Sequence, residues 1–131
     1  RNVTGVQTCA LPIFNEVLAA MKPGTTLGEL SAITDRVVER MAPKQGPLAG
    51  AKARLTAHGK GAGDDGPIIT STSREKKHLD YQIKGNMTFI FKPSVSTADG
   101  SSICTWGDTV VVTPTGGRRL GTRLHDLAIA G

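Results

Sequence analysis

Large aromatic side chains are scarce in this chain: Phe, Trp and Tyr make up 4% of its 131 residues. The hydrophobic share of 38% still permits a core, built mostly from aliphatic side chains. Cysteine is nearly absent, with only Cys9 and Cys104. One pair is too few for a disulfide framework, and no CxxC spacing occurs. That argues against a cysteine-type zinc site and a thiol redox motif, and points to a reducing, cytoplasmic setting. No apolar run approaches the roughly 20 residues of a membrane-crossing helix, so no membrane partner is expected. The net charge is +5, yet the basic residues are scattered. Lys76-Lys77 and Arg118-Arg119 are the only adjacent pairs, and no aromatic platform accompanies them. A solvated surface accounts for this pattern, and no nucleic-acid partner is expected. The length suits one small domain or a piece of a larger one.

What the chain does have is glycine, concentrated in the run Ala57-His58-Gly59-Lys60-Gly61-Ala62-Gly63-Asp64-Asp65-Gly66-Pro67. Glycines allow close backbone approach to a ligand. A histidine before such a turn can serve as a metal ligand or as a proton carrier near neutral pH. The plainer alternative is a flexible loop with a surface histidine. Asp64 and Asp65 can wall a polar site and orient His58 or substrate, or simply bond the backbone of a turn.

The segment Val3-Thr4-Gly5-Val6-Gln7-Thr8-Cys9-Ala10-Leu11-Pro12-Ile13 lacks a helical period, and Pro12 disfavours a helix running into Phe14. It resembles the translated read-through of a common sequencing adapter. That resemblance implies a non-native segment over residues 1–13, with the fold proper in residues 14–131, and no role for Cys9. A natural extended arm is the alternative.

Beyond it, Phe14, Val17, Leu18 and Met21 fall on one helical face, and Lys22-Pro23-Gly24 ends that helix. Thr26-Leu27-Gly28-Glu29 has the form of a capping box, which starts a second helix over Leu27 to Met41. Strands are expected at Arg54–His58, Met87–Phe91, Ser101–Trp106, Asp108–Thr113 and Arg118–Leu120. Thr70 to Lys77 is polar and reads as an exposed excursion, and His78 and His125 read as structural or solvated. Two helices followed by an antiparallel sheet make the fold class α+β.

In this order, Lys22-Pro23-Gly24-Thr25, the second helix, His58-Gly59, Phe91-Lys92-Pro93 and Gly107-Asp108-Thr109-Val110-Val111-Val112-Thr113 followed by Gly117 and Leu120 resemble the C-terminal half of the pita-bread fold. Methionine aminopeptidase, Xaa-Pro aminopeptidase, prolidase and creatinase share that fold. The resemblance covers about Phe14 to Gly121 and implies a partial domain. It further implies a divalent metal pair held by two Asp, one His and two Glu, with the Asp pair supplied by the missing first half.

Carried over residue by residue, His58 stands at the ligand histidine. Asp65 replaces a second, substrate-contacting histidine. Lys92, before Pro93, replaces the first ligand glutamate, and Gly107, before Asp108, replaces the second. An ammonium beside a cation is repelled by about 1 to 4 kcal/mol per unit charge at 4 Å, for effective dielectrics of about 80 to 20. A dinuclear site is therefore not expected here unless Lys92 points away. His58 is the candidate metal ligand, His58 and Asp65 are candidate catalytic residues, and Lys92, Trp106 and Asp64 are candidates for substrate binding. Asp108 can instead support the strand from the other face, and Cys104 reads as a small buried hydrophobe.

The resemblance implies part of an Xaa-Pro aminopeptidase- or creatinase-like hydrolase acting on a peptide or amidino C–N bond, with or without metal. Its partner would be a peptide or small molecule, and the parent would have room to be a homodimer. Two alternatives stand beside it: a conventional dinuclear aminopeptidase with differently placed ligands, or a non-catalytic binding module on the same fold.

Overall fold

A computed structural model describes residues 3–46, 48–60, 64–69 and 75–122, with the side chains of residues 3–9 and 64–66 outside the description. Helices α1 (Val3–Ala20) and α2 (Leu27–Met41) come first. Strands β1 (Lys52–Lys60) and β2 (Asp64–Ile69), a short α3 (Lys76–Leu79), and strands β3 (Thr88–Ser96), β4 (Ile103–Thr105), β5 (Asp108–Thr113) and β6 (Gly116–Arg119) follow. The strands form one antiparallel sheet in the order β2-β1-β3-β5-β6, with β4 also on β3. The α+β class expected from the sequence is what the chain adopts.

Helix α2 begins where its sequence signal lies. The Thr26 hydroxyl accepts from the Glu29 N–H at 3.1 Å, and the Glu29 carboxylate accepts from the Thr26 N–H at 2.7 Å. Each bond satisfies a helix-end donor that would otherwise lack a partner. The Thr26 N–H bond is the main reason the Glu29 carboxyl is held below its ordinary value. Leu27, Leu30, Thr34, Val37 and Val38 form the buried stripe.

Helix α1 departs from expectation. It runs from Val3 rather than from Phe14, with Pro12 inside it. Ala10, Ile13, Phe14 and Val17 are fully buried, so packing of this face outweighs the local cost of a proline. The Phe14 and Phe91 rings meet with centroids 5.2 Å apart, which ties α1 to the middle of the sheet. An Arg40–Glu16 ion pair joins α2 to α1 at the surface. After α1, Gly24 takes a φ of +93° that a side chain would resist, and its N–H donates to the Ile83 carbonyl.

Two further differences bear on the site. The end of the glycine run is extended, because residues 64–69 form β2 and pair with β1, with a register shift between His58 and Gly59. Part of the polar excursion is also ordered. There α3 sits over β2, and the Ile68 N–H donates to His78 Nδ1 at 3.3 Å. His78 is therefore structural, while His125 lies outside the described residues.

Strand β3 also passes through Pro93 instead of stopping before it. Its pairing with β4 and β5 keeps one register throughout, because Phe91 faces Asp108 and Ser94 faces Thr105. Lys92 therefore stands opposite Gly107, and Pro93 opposite Trp106. The Trp106 N–H donates to the Pro93 carbonyl at 2.9 Å, and Pro93 has no N–H to return the bond. That missing donor is why β4 and β5 appear as two strands. In the sheet they are one path with a gap at the proline.

Candidate active site

Side chains alternate across a strand, so the burial pattern assigns each residue to a face. In β1 the buried set is Ala53, Leu55, Ala57 and Gly59, and Lys52, Arg54, Thr56, His58 and Lys60 occupy the other face. In β3 the buried set is Phe89, Phe91, Pro93 and Val95, leaving Thr88, Ile90, Lys92, Ser94 and Ser96 opposite. Helices α1 and α2 cover the buried face. His58 and Lys92 thus share the open face.

The register fixes their spacing. Thr56 faces Lys92 and His58 faces Ile90 across β1 and β3. Lys92 and Gly107 are opposed across β3 and the β4–β5 path. Opposed residues in an antiparallel pair lie roughly 4.5–5.5 Å apart, and diagonal ones roughly 7–8 Å. His58 is therefore diagonal to Lys92. A Cβ placed on Gly107 would come within 2.8 Å of Lys92 Cγ and 3.6 Å of its Cδ. The stem of Lys92 leans across the position where a side chain at 107 would stand. His58, Lys92 and Gly107 lie on one face of the sheet.

His58 Nδ1 lies 3.2 Å from the Gly59 carbonyl oxygen. A carbonyl only accepts, so Nδ1 is the donor in this contact. Asp65 stands opposite Gly59 and Asp64 opposite Lys60 in backbone register, and their side chains lie outside the description.

The other candidates are placed elsewhere. Trp106, adjacent to Gly107 in sequence, falls on the helix-covered face and packs against the core. The structure does not bring it together with Lys92, because neighbouring residues in an extended strand point to opposite sides. Asp108 also turns toward the helix side. It accepts from Arg119 Nε at 2.6 Å, and both side chains are mostly buried. This pair supports β5 and β6. Cys104 packs partly buried against the core, and that burial raises its thiol pKa.

Among the described side chains, no carboxylate stands beside His58 and Lys92 on the open face to hold a pair of divalent ions. The open face offers an imidazole, an ammonium and a residue with no side chain where carboxylates would be needed. Among the described residues no three His, Cys, Asp or Glu side chains gather as a metal-binding group. No described helix is long and apolar enough to cross a membrane.

Residues 4–114 match metallopeptidase family M24. The chain belongs to that family. No curated protein matches it. Among solved structures, the Xaa-Pro dipeptidase of Bacillus anthracis superposes with a TM-score of 0.73 at 18% identity, covering 98% of this chain and 33% of that one. The X-Pro aminopeptidase of Thermotoga maritima gives 0.72 at 20% identity, covering 95% and 32%. The methionine aminopeptidase of Rickettsia prowazekii gives 0.63 at 18% identity, covering 86% and 49%. At these identities the likeness is one of fold. The M24 chain described here spans about a third of the length of the first two. The shared fold is the C-terminal part of a pita-bread domain, as the motif order implied, and it is a peptidase-like hydrolase fold. The family resemblance singled out Lys92 and Gly107 as positions, and the strand register is what opposes them. The part no sequence signal carried is that the lysine stem would fill the space beside the glycine.

Proposed function

We propose that this M24 chain belongs to a hydrolase that cleaves a C–N bond without a metal pair on this face of the sheet. His58 carries the proton, and Lys92 anchors a carboxylate of the substrate. The observation that carries the reading is the opposition of Lys92 and Gly107, with the lysine stem 2.8 Å from where a Cβ at 107 would stand. Both carboxylate positions of the resemblance are replaced in one place, one by a lysine and the other by glycine.

The chemistry balances with the residues at hand. Water adds its oxygen to the carbonyl or amidino carbon while His58 Nε2 takes its proton. The tetrahedral adduct then collapses with rupture of the C–N bond, and Nε2 returns the proton to the leaving nitrogen. Lys92 neutralises the bound carboxylate and holds the scissile group near the imidazole. Asp64, opposite Lys60 in the register of the face that carries His58, is proposed to line the same entrance, whereas Asp65, opposite Gly59, falls in register with the other face.

The test is turnover of Xaa-Pro dipeptides and small amidino or N-acyl compounds by the full-length protein, with chelator present. The expected result is activity that survives chelation and falls by about 100-fold or more in His58→Ala, the usual range for loss of a general base. Equal activity in His58→Ala overturns the mechanism. Activity that disappears with chelator and returns with a divalent ion favours a conventional metal site. Saturable peptide binding without turnover favours a binding module.

A further inference from the structure

The open face carries a charge pattern that hydrolysis alone does not explain. Along β1 the residues facing away from the helices are Lys52, Arg54, Thr56, His58 and Lys60. Lys92 follows on β3, and Arg118, opposite Val111, extends the same side at β6. Among the described side chains, this face of β1, β3, β4, β5 and β6 holds no Asp or Glu. Asp108 belongs to the other face, where Arg119 binds it. Arg54 and Lys92 form no salt bridge among the described residues.

The neighbours of Lys92 are hydrogen-bond donors as well. Thr56 is opposite it on β1, and Arg54, which faces Ser94, is diagonal to it. On the other side, Thr105 and Thr109 flank Gly107. Lysine and arginine only donate, and a threonine hydroxyl can turn to donate. Like charges that share one face of a sheet repel, and a ligand that brings negative charge relieves that repulsion.

We propose that the row Thr56–Lys92–Gly107 is a binding site for a doubly charged oxyanion, held by Lys92 and Arg54 together and completed by the hydroxyls beside them. The inference rests on the Lys92 anchor proposed above and sharpens it. The substrate or effector at this face carries a phosphate-like group or two carboxylates, not a single one. Arg54 supplies a planar fork for two oxygens, and Lys92 supplies a point charge on the opposite side.

The experiment is a titration of the full-length protein with inorganic phosphate and, separately, with succinate, at constant ionic strength held by chloride. Binding is read by calorimetry and by thermal shift. The expected result is saturable binding of at least one of the two, weakened at least tenfold in Arg54→Met and in Lys92→Met. Lys92→Arg should restore most of it, and Lys44→Met, which removes a remote exposed charge, should leave it within twofold. Phosphate binding alone points to a phosphorylated ligand, and succinate binding alone to a dicarboxylate. Binding of neither, or equal binding by all the variants, overturns the proposal. An unchanged phosphate affinity in a turnover-dead His58→Ala leaves the anion site standing. Turnover that persists with no anion binding removes the anion site and leaves hydrolysis standing.

Discussion

Along β3, Phe89, Phe91 and Val95 are fully buried, whereas Thr88, Ile90, Lys92 and Ser94 stay partly open. The same nine residues thus build two surfaces with different jobs. The covered face obeys packing: Phe91 meets Phe14, Val110 and Val112 are fully buried, and the acid that strays there, Asp108, is neutralised by Arg119. The open face obeys electrostatics, with cations, hydroxyls and an imidazole set at alternate positions. A mutation should therefore cost stability on one face and ligand chemistry on the other, even when the two residues are neighbours in sequence.

The largest effect tests that division directly. Phe91→Ala removes a fully buried ring and leaves a cavity beneath α1, at a cost of about 3–5 kcal/mol. Ile90→Ala, one residue away on the open face, should cost about 1 kcal/mol or less, since its side chain is only partly covered. Urea denaturation of both variants makes the comparison. Similar losses would mean that the open face is also packed against something in the folded protein.

A smaller effect sharpens the placement of the site. Gly107 does not use a positive φ, so steric room alone decides what it tolerates. Gly107→Ala places a Cβ too close to Lys92 Cγ, and the lysine stem must swing away at a cost of about 1 kcal/mol. Lys92→Ala removes that obstacle. In its background the same Gly107→Ala change should be neutral or slightly stabilising, because alanine loses less chain entropy than glycine in a strand. A double-mutant cycle should show coupling of about 0.5 kcal/mol or more, and strict additivity would separate the two side chains.

That coupling marks where the sequence was legible and where it was not. Helix α2 was readable to the residue, because Thr26 and Glu29 announce its start chemically and its apolar stripe has one period. Strand β5 was readable because Val110, Val111 and Val112 favour an extended chain. The candidate site was legible only as separate positions, Lys92 and Gly107, through the family resemblance, and no sequence signal paired them. Helix α1 was misread because Pro12 is a local signal, while Ala10, Ile13 and Phe14 gain from burial that only the folded sheet provides. Strand β2 was hidden because glycine-rich composition describes what a backbone can do, not what a neighbouring strand makes it do. Trp106 was assigned to the cleft because sequence adjacency to Gly107 says nothing about facing, and one step along a strand reverses it.

The smallest expected effect concerns an acid at the rim of the sheet, where hydroxyl donors already hold an anion. In the turn between β3 and β4, Asp99 Oδ1 accepts from the Thr97 hydroxyl at 2.6 Å, and from the Ser101 N–H at 3.0 Å and its hydroxyl at 2.9 Å. These bonds, the Thr97 hydroxyl first, lower the Asp99 carboxyl from 3.8 to about 2. The folded state thus keeps Asp99 ionised at pH values where the unfolded chain has begun to take up its proton. The contribution of this turn is complete above the unfolded value and is lost as pH falls from there through about 2. A carboxyl titration followed by NMR should place Asp99 near that low value, and Thr97→Val should move it up toward the ordinary range. If Thr97→Val left the titration unchanged, the hydroxyl would not be what holds the charge. The use of Thr56, Thr105 and Thr109 as anion donors beside Lys92 would then lose its nearest precedent within the molecule.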